Sequence, residues 1–128
     1  MIACDRRSAL IAAALGTAVA AIPGALAATA PRAPVLFLYD ARFATARAEA
    51  LAWNQHGVRV LDVRSRDLGV AWREEIAPLL RQTGGALKGR TLGSDRMISA
   101  IFARELGRTL SDETADAGDC ETRAWSIV

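Results

Sequence analysis

Asp40, Arg42, Asp62, Arg64, Arg90, Thr91 and Ser94 are the residues of this chain whose types and spacing could hold a ligand. Asp40 and Arg42 follow the apolar run "VLFLY", residues 35–39. Asp62 and Arg64, with Arg66 beyond them, end a second run, "VRVLDV", residues 58–63. Arg90, Thr91, Ser94 and Asp95 follow a third, "ALKGRT". If each run is a strand of one sheet, these residues stand at the carboxyl ends of the strands, where open α/β sheets take their ligands. Arginine-bearing loops beside helix N-termini could hold a carboxylate or phosphate by bidentate contacts and backbone N–H groups. The plainer reading is that Asp40 and Ser94 cap helices while the arginines pair with Asp62, Asp67 and Asp95.

Other chemistries find less support. The first strand-to-helix turn, "YDARF", has no G-x-G-x-x-G to let a pyrophosphate approach, and the one lysine, Lys88, sits in "ALKGR" rather than in a phosphate-binding loop. No cofactor is therefore expected. "FLYDARF" resembles the aspartate-nucleophile segment of haloacid-dehalogenase-type phosphatases, but those place a second aspartate where Arg42 stands. His56, the one histidine, precedes Gly57, where an imidazole suits a helix C-terminus. Cys120 lies among acidic residues, which raise a thiol's pKa and reduce its reactivity. Asp112, Asp116 and Asp119 lack the alternating spacing and central glycine of a calcium loop, so no metal site is expected. With no nucleophile–base constellation, the residues favour a non-catalytic binding or accessory protein. The alternative is a small enzyme acting on an anionic substrate at the carboxyl-edge rim.

The elements that would position these residues alternate. "ARFATARAEALAWNQHG" reads as a helix with Phe43, Ala46, Ala50 and Trp53 along one side and Gly57 as its stop. "VAWREEIAPLLRQTGG" reads as a second helix, with Trp72, Ile76, Leu79 and Leu80 on one face and Pro78 as an interruption. "SDRMISAIFARELG" is the third: Ser94 caps it, Ile98, Ile101, Phe102 and Leu106 form its buried stripe, and Gly107 ends it. "TRAWSIV" is expected to be a last strand at the sheet's edge, with Trp125 exposed there. The fold expected is a small three-layer α/β domain, Rossmann-like or flavodoxin-like but reduced, with a mostly parallel sheet of about four strands, about three helices and right-handed crossovers. An apolar edge strand is also a pairing surface, so a protein partner or a second copy docking along it is expected.

The start of the chain reads as an address rather than as part of that domain. Arg6 and Arg7 precede 23 uncharged residues, Ser8 to Ala30. Pro23-Gly24 breaks the run, and Ala25-Leu26-Ala27-Ala28 supplies an A-x-A cleavage signal, with the cut expected after Ala27. "DRRSALI" resembles a twin-arginine (Tat) export signal: Arg6, Arg7, Ser8, Ala9 and Leu10 match its pattern, while Asp5 replaces the usual hydroxyl residue. The resemblance implies the Tat machinery and signal peptidase as partners, export in a folded state, and a periplasmic destination reached with only transient membrane contact. The alternative is an inner-membrane anchor, since 23 uncharged residues are long enough to span a bilayer. The division expected is 1–27 signal peptide and 28–128 domain, with an acidic solvated loop at 111–121.

The domain so defined keeps one cysteine, Cys120, so no internal disulfide staples it. Residues 32–110 carry thirteen basic and eight acidic side chains, and 111–128 carry one basic and five acidic. With a net charge of +2 for the whole chain, nothing points to a nucleic-acid partner. Over nearly the whole of its length after the leader, the chain resembles small uncharacterised proteobacterial proteins that carry a twin-arginine signal peptide, through "DARF", "GRT" and "FARELG". That resemblance implies an exported α/β protein and no particular activity.

Overall fold

The run Val35–Tyr39 is apolar throughout because its strand is covered on both faces. In the computed structural model it forms β1 (Pro34–Tyr39), with Leu36, Phe37 and Leu38 all buried. The structure describes residues 32–113 and 121–128. Arg6, Arg7, Ala25, Ala27, Ala28, Asp116, Asp119 and Cys120 lie outside the described residues.

After β1 come α1 (Ala44–Gln55), β2 (Arg59–Asp62), α2 (Leu68–Ala71), a π-helical turn (Trp72–Ile76), α3 (Ala77–Thr83), β3 (Ala86–Thr91), α4 (Gly93–Glu105), β4 (Leu110–Asp112) and β5 (Arg123–Ile127). The strands make one sheet in the order β2-β1-β3-β5-β4. β1 pairs with β2 and β3 in parallel, and β5 pairs with β3 and β4 antiparallel. The molecule is therefore a mixed α/β fold. It differs from the expected four-stranded, mostly parallel sheet by one strand and one direction. β1, β2, β3 and β4 point the same way, and β5 is inserted between β3 and β4 pointing the other way.

Two expectations fail there for a common reason. β4, "LSD", has one apolar residue and no alternation, so hydrophobic periodicity cannot find it. It forms because β5 offers an open edge: Leu110 faces Ile127, Ser111 faces Ser126 and Asp112 faces Trp125. The stretch expected to be a solvated loop thus begins as a strand. β5, in turn, is not the edge. It is hydrogen-bonded on both sides, and Trp125 is wholly buried rather than exposed. The docking surface expected along the last strand is already filled by β4.

Alternation along the strands sorts side chains onto two faces. Leu36, Leu38, Leu87, Trp125 and Ile127 pack against Ala71, Trp72, Ile76, Leu80 and Ala103 of the α2–α3 and α4 layer. Gly89 lies in the middle of β3 because a Cβ there would collide with the Trp125 indole. On the opposite face α1 buries Ala46 and Ala50, while Phe37 meets Tyr39 and Trp53 at ring-centroid distances of 6.4 and 6.2 Å.

The second helical region accommodates Pro78 by a π turn. Ala77 N–H donates to Trp72 O, one residue farther back than in an α-helix. The helix then restarts, with Pro78 in the first turn of α3, where its missing N–H is not needed. Asp67 caps the start, its carboxylate accepting from Val70 N–H at 2.9 Å, and Gly84, at φ 65°, ends the segment left-handed.

α4 is rotated from its expected register. Its buried residues are Ser99 and Ala103, with Phe102 and Leu106 packed beside them, whereas Ile98 and Ile101 are 38% and 55% exposed and Met97 61%. The sheet beneath already carries the Trp125 indole. The helix therefore approaches through its small residues, which turns the larger ones outward.

Candidate functional site

The carboxyl ends of β1, β2 and β3 gather Asp40, Arg42, Asp62, Arg64 and Asp95. Asp40 leaves β1 wholly buried, its N–H donating to Arg90 O at 3.2 Å as a last rung of the β1–β3 ladder. Its carboxylate accepts from Arg42 three ways: backbone N–H at 3.0 Å, Nε at 3.0 Å and Nη2 at 2.6 Å. Those hydrogen bonds hold the Asp40 carboxyl below its usual pKa, against the opposing effect of burial. Arg42 also lies over the Phe43 ring, 5.7 Å from its centroid. Asp40 is thus an ion-paired turn residue. The side chain of Phe43, which occupies the N-cap position of α1, makes no capping bond.

Asp62 ties two loops together. Its Oδ1 accepts from Ala41 N–H at 3.2 Å and from Arg64 N–H at 3.0 Å. The Arg64 side chain is exposed, and its charge reaches both Asp40 and Asp95. Arg66 leaves the rim and pairs with Glu74 and Glu75, each at 3.0 Å. Asp95, half-buried in the first turn of α4, has its carboxyl pushed above the usual range, first by desolvation and then by the Asp40 charge, with Arg64 and Arg42 opposing.

Three expected rim residues are placed otherwise. Arg90 projects to the α1 face with Tyr39, its strand partner, and its Nε meets Glu49 Oε2 at 2.5 Å in a pocket that leaves the residue 4% exposed. Thr91 is wholly buried; its hydroxyl accepts from Trp125 Nε1 at 3.0 Å and donates to Leu92 O at 3.1 Å. Ser94 is exposed inside the first turn of α4 and does not cap it, because the chain turns into the helix one residue earlier, with extended Leu92 in the N-cap position.

Chemically the rim is a near-balanced cluster of three carboxyls and two guanidiniums. Arg42, though half exposed, is spent on Asp40, which leaves Arg64 as the exposed rim cation with no ion pair among the described residues. Among the described residues no group of three His, Cys, Asp or Glu side chains could hold a metal ion. Asp112 pairs with Arg96 at 2.6 and 2.8 Å. His56 contacts Ala52 O through Nδ1 at 2.8 Å at the end of α1, the structural position expected for it. Among the described residues no helix is long and apolar enough to cross a membrane.

A second concavity was not signalled by strand ends or motifs. It lies between the π turn and α4, encloses about 340 Å³, and is lined by Trp72, Arg73, Ala77, Arg81, Phe102, Glu105 and Leu106. The one sequence signal for it is the i, i+4, i+8 spacing of Arg73, Ala77 and Arg81, which a π turn disguises.

Compared with known proteins, the chain matches no family model, no curated protein and no solved structure.

Proposed function

We propose that this is a twin-arginine-exported protein of the periplasm that works as a non-catalytic binding or accessory domain. The observation that carries the reading is the state of Asp40. The carboxylate best placed at the sheet edge is wholly buried and held ionised by Arg42, which suits it to bracing a turn and not to attacking a substrate or taking a proton. The departure of Arg90 to the α1 face, where it pairs with Glu49, supports the same reading, since a three-arginine clamp needs Arg90 on the same surface as Arg42 and Arg64. The parallel β2-β1-β3 order, with helices on both faces, supports regarding the domain as a reduced flavodoxin-like sheet whose crevice lies between β1 and β3. "DRRSALI" and the Ala25–Ala28 signal support the export route.

The test is fractionation of the native host followed by intact-mass measurement. The expected species is a chain beginning at Ala28 in the periplasmic fraction, lost when Arg6→Lys and Arg7→Lys are combined. A leader-bearing chain in the membrane fraction would overturn the cleavage and favour the anchored alternative.

The enzyme alternative rests on one pair, exposed Arg64 beside the less acidic Asp95 at that crevice. It requires turnover of an anionic substrate that Arg64→Ala and Asp95→Asn each abolish.

A further inference from the structure

Among the described residues five guanidiniums are committed to carboxylates: Arg42 to Asp40, Arg59 to Glu75, Arg66 to Glu74 and Glu75, Arg90 to Glu49 and Arg96 to Asp112. Arg73 and Arg81 are not. Both line the groove between the π turn and α4, and among the described residues neither side chain makes an ion pair or hydrogen bond. Their neighbour across the groove, Glu105, likewise has no partner among the described residues. Between these charges the lining is apolar. Trp72 and Phe102 stack with centroids 5.4 Å apart and planes 13° apart, and Ala77 and Leu106 complete the surface. The Trp72 indole N–H is buried with no acceptor among the described residues. The π turn belongs to the site's construction, since it sets Trp72 and Arg73 relative to Ala77 and Arg81, and such turns recur at functional sites.

We propose that this groove binds a small amphipathic anion: a flat apolar body against Phe102, Trp72 and Leu106, with one carboxylate, sulfonate or phosphate head held by Arg73 or Arg81. Two arginines and one glutamate leave the lining with a net single positive charge, which suits a singly charged ligand. Glu105 can accept a hydrogen bond from a hydroxyl or amide on the ligand. A volume of about 340 Å³ fits a small molecule and not a protein helix. Guanidinium groups favour such heads because their planar fork matches two oxygens at once. The inference deepens the binding half of the proposed function and is independent of export.

The probe is 8-anilinonaphthalene-1-sulfonate, titrated into the isotope-labelled full chain and followed by NMR. The expected result is movement of the Trp72 indole N–H and of backbone amides within 72–81 and 102–106. The Arg73→Glu, Arg81→Glu double variant is then expected to bind about tenfold more weakly, as the loss of one charge-assisted contact predicts. Both positions are exposed, so the variant keeps its fold, and its unperturbed amides elsewhere check this. Shifts confined to Met97, Ile98 and Ile101 would mean adhesion to the apolar outer strip of α4 and would overturn the proposal. Equal binding of uncharged N-phenyl-1-naphthylamine would overturn the anionic head. A correctly processed chain whose groove resonances stay still would defeat this inference and leave export standing; a leader-bearing chain that binds the probe in the groove would do the reverse.

Discussion

Asp40 and Asp95 face each other's charge from opposite environments, and their titrations should pull stability in opposite directions. Asp40 has a lowered folded pKa. Its contribution is complete above the ordinary carboxylate range and is lost as pH falls through the lowered value. Asp95 has a raised folded pKa, so ionising it costs stability at neutral pH, and that cost is relieved as pH falls through the raised value. Thermal melts at pH 7 should therefore separate two isosteric changes. Asp40→Asn is expected to lower stability by about 2 kcal/mol, the scale of hydrogen bonds to a buried charged group. Asp95→Asn is expected to leave Tm unchanged or raise it, and a falling Tm would show that its charge is stabilising after all. A third single-residue test sits at the sheet's centre. Gly89→Ala should cost about 2–3 kcal/mol, because the added methyl meets the Trp125 ring, and Trp125→Leu in the same chain should restore part of it.

Among the elements, α4 gives the sharpest contrast between pattern and placement. Ile101→Lys should change stability by less than about 0.5 kcal/mol, while Ala103→Leu should cost about 2 kcal/mol, both read by urea unfolding. The opposite ranking would restore the stripe expected from the sequence. The end of α3, closed locally by Thr83 and Gly84, is also tied by a side chain from beyond α4. Arg108 donates through Nη2 to Leu80 O at 3.0 Å and through Nη1 to Gly85 O at 2.5 Å, and desolvation there pulls its pKa down. Arg108→Ala should cost about 1–2 kcal/mol, and Arg108→Lys should recover little, since an ammonium lacks the fork that spans two carbonyls. These cases also mark where sequence reading succeeds and where it stops. The continuous apolar run of β1 is legible because burial on both faces leaves no other composition for it, while β2, a half-buried edge strand, shows only as a mixed run around Val60 and Leu61. Burial carried by Ser99 and Ala103 is silent to a method that follows large side chains. The place of Arg90 and Thr91 at a strand end points to the rim, yet the side-chain alternation of β3 sends Arg90 to one face and Thr91 to the other, and neither reaches the edge. The π turn has one visible sign, Pro78, whose interruption of the helix takes the form of a widened turn.

At the scale of the whole molecule, the sheet is a parallel set opened to admit a strand of opposite direction. Lys88 of β3 reaches Glu113 just past β4 at 2.5 Å, and Arg96 of α4 reaches Asp112, so the outermost strand is held by ion pairs to elements on its inner side as well as by β5. Because these pairs are partly exposed, raising salt should loosen β4 before the rest of the sheet, which amide hydrogen exchange of residues 110–113 would register. The position of β5 also sets a schedule. The ribosome releases the strands in chain order, but the slot between β3 and β4 closes only with the last of them. Until then Trp125 and Ile127 are missing from the core, Leu87 has its β1 partner but none on the other side, and β4 has no neighbour. The domain cannot settle piecewise as it is made. Folding waits for its final strand, and everything that requires a folded chain waits with it.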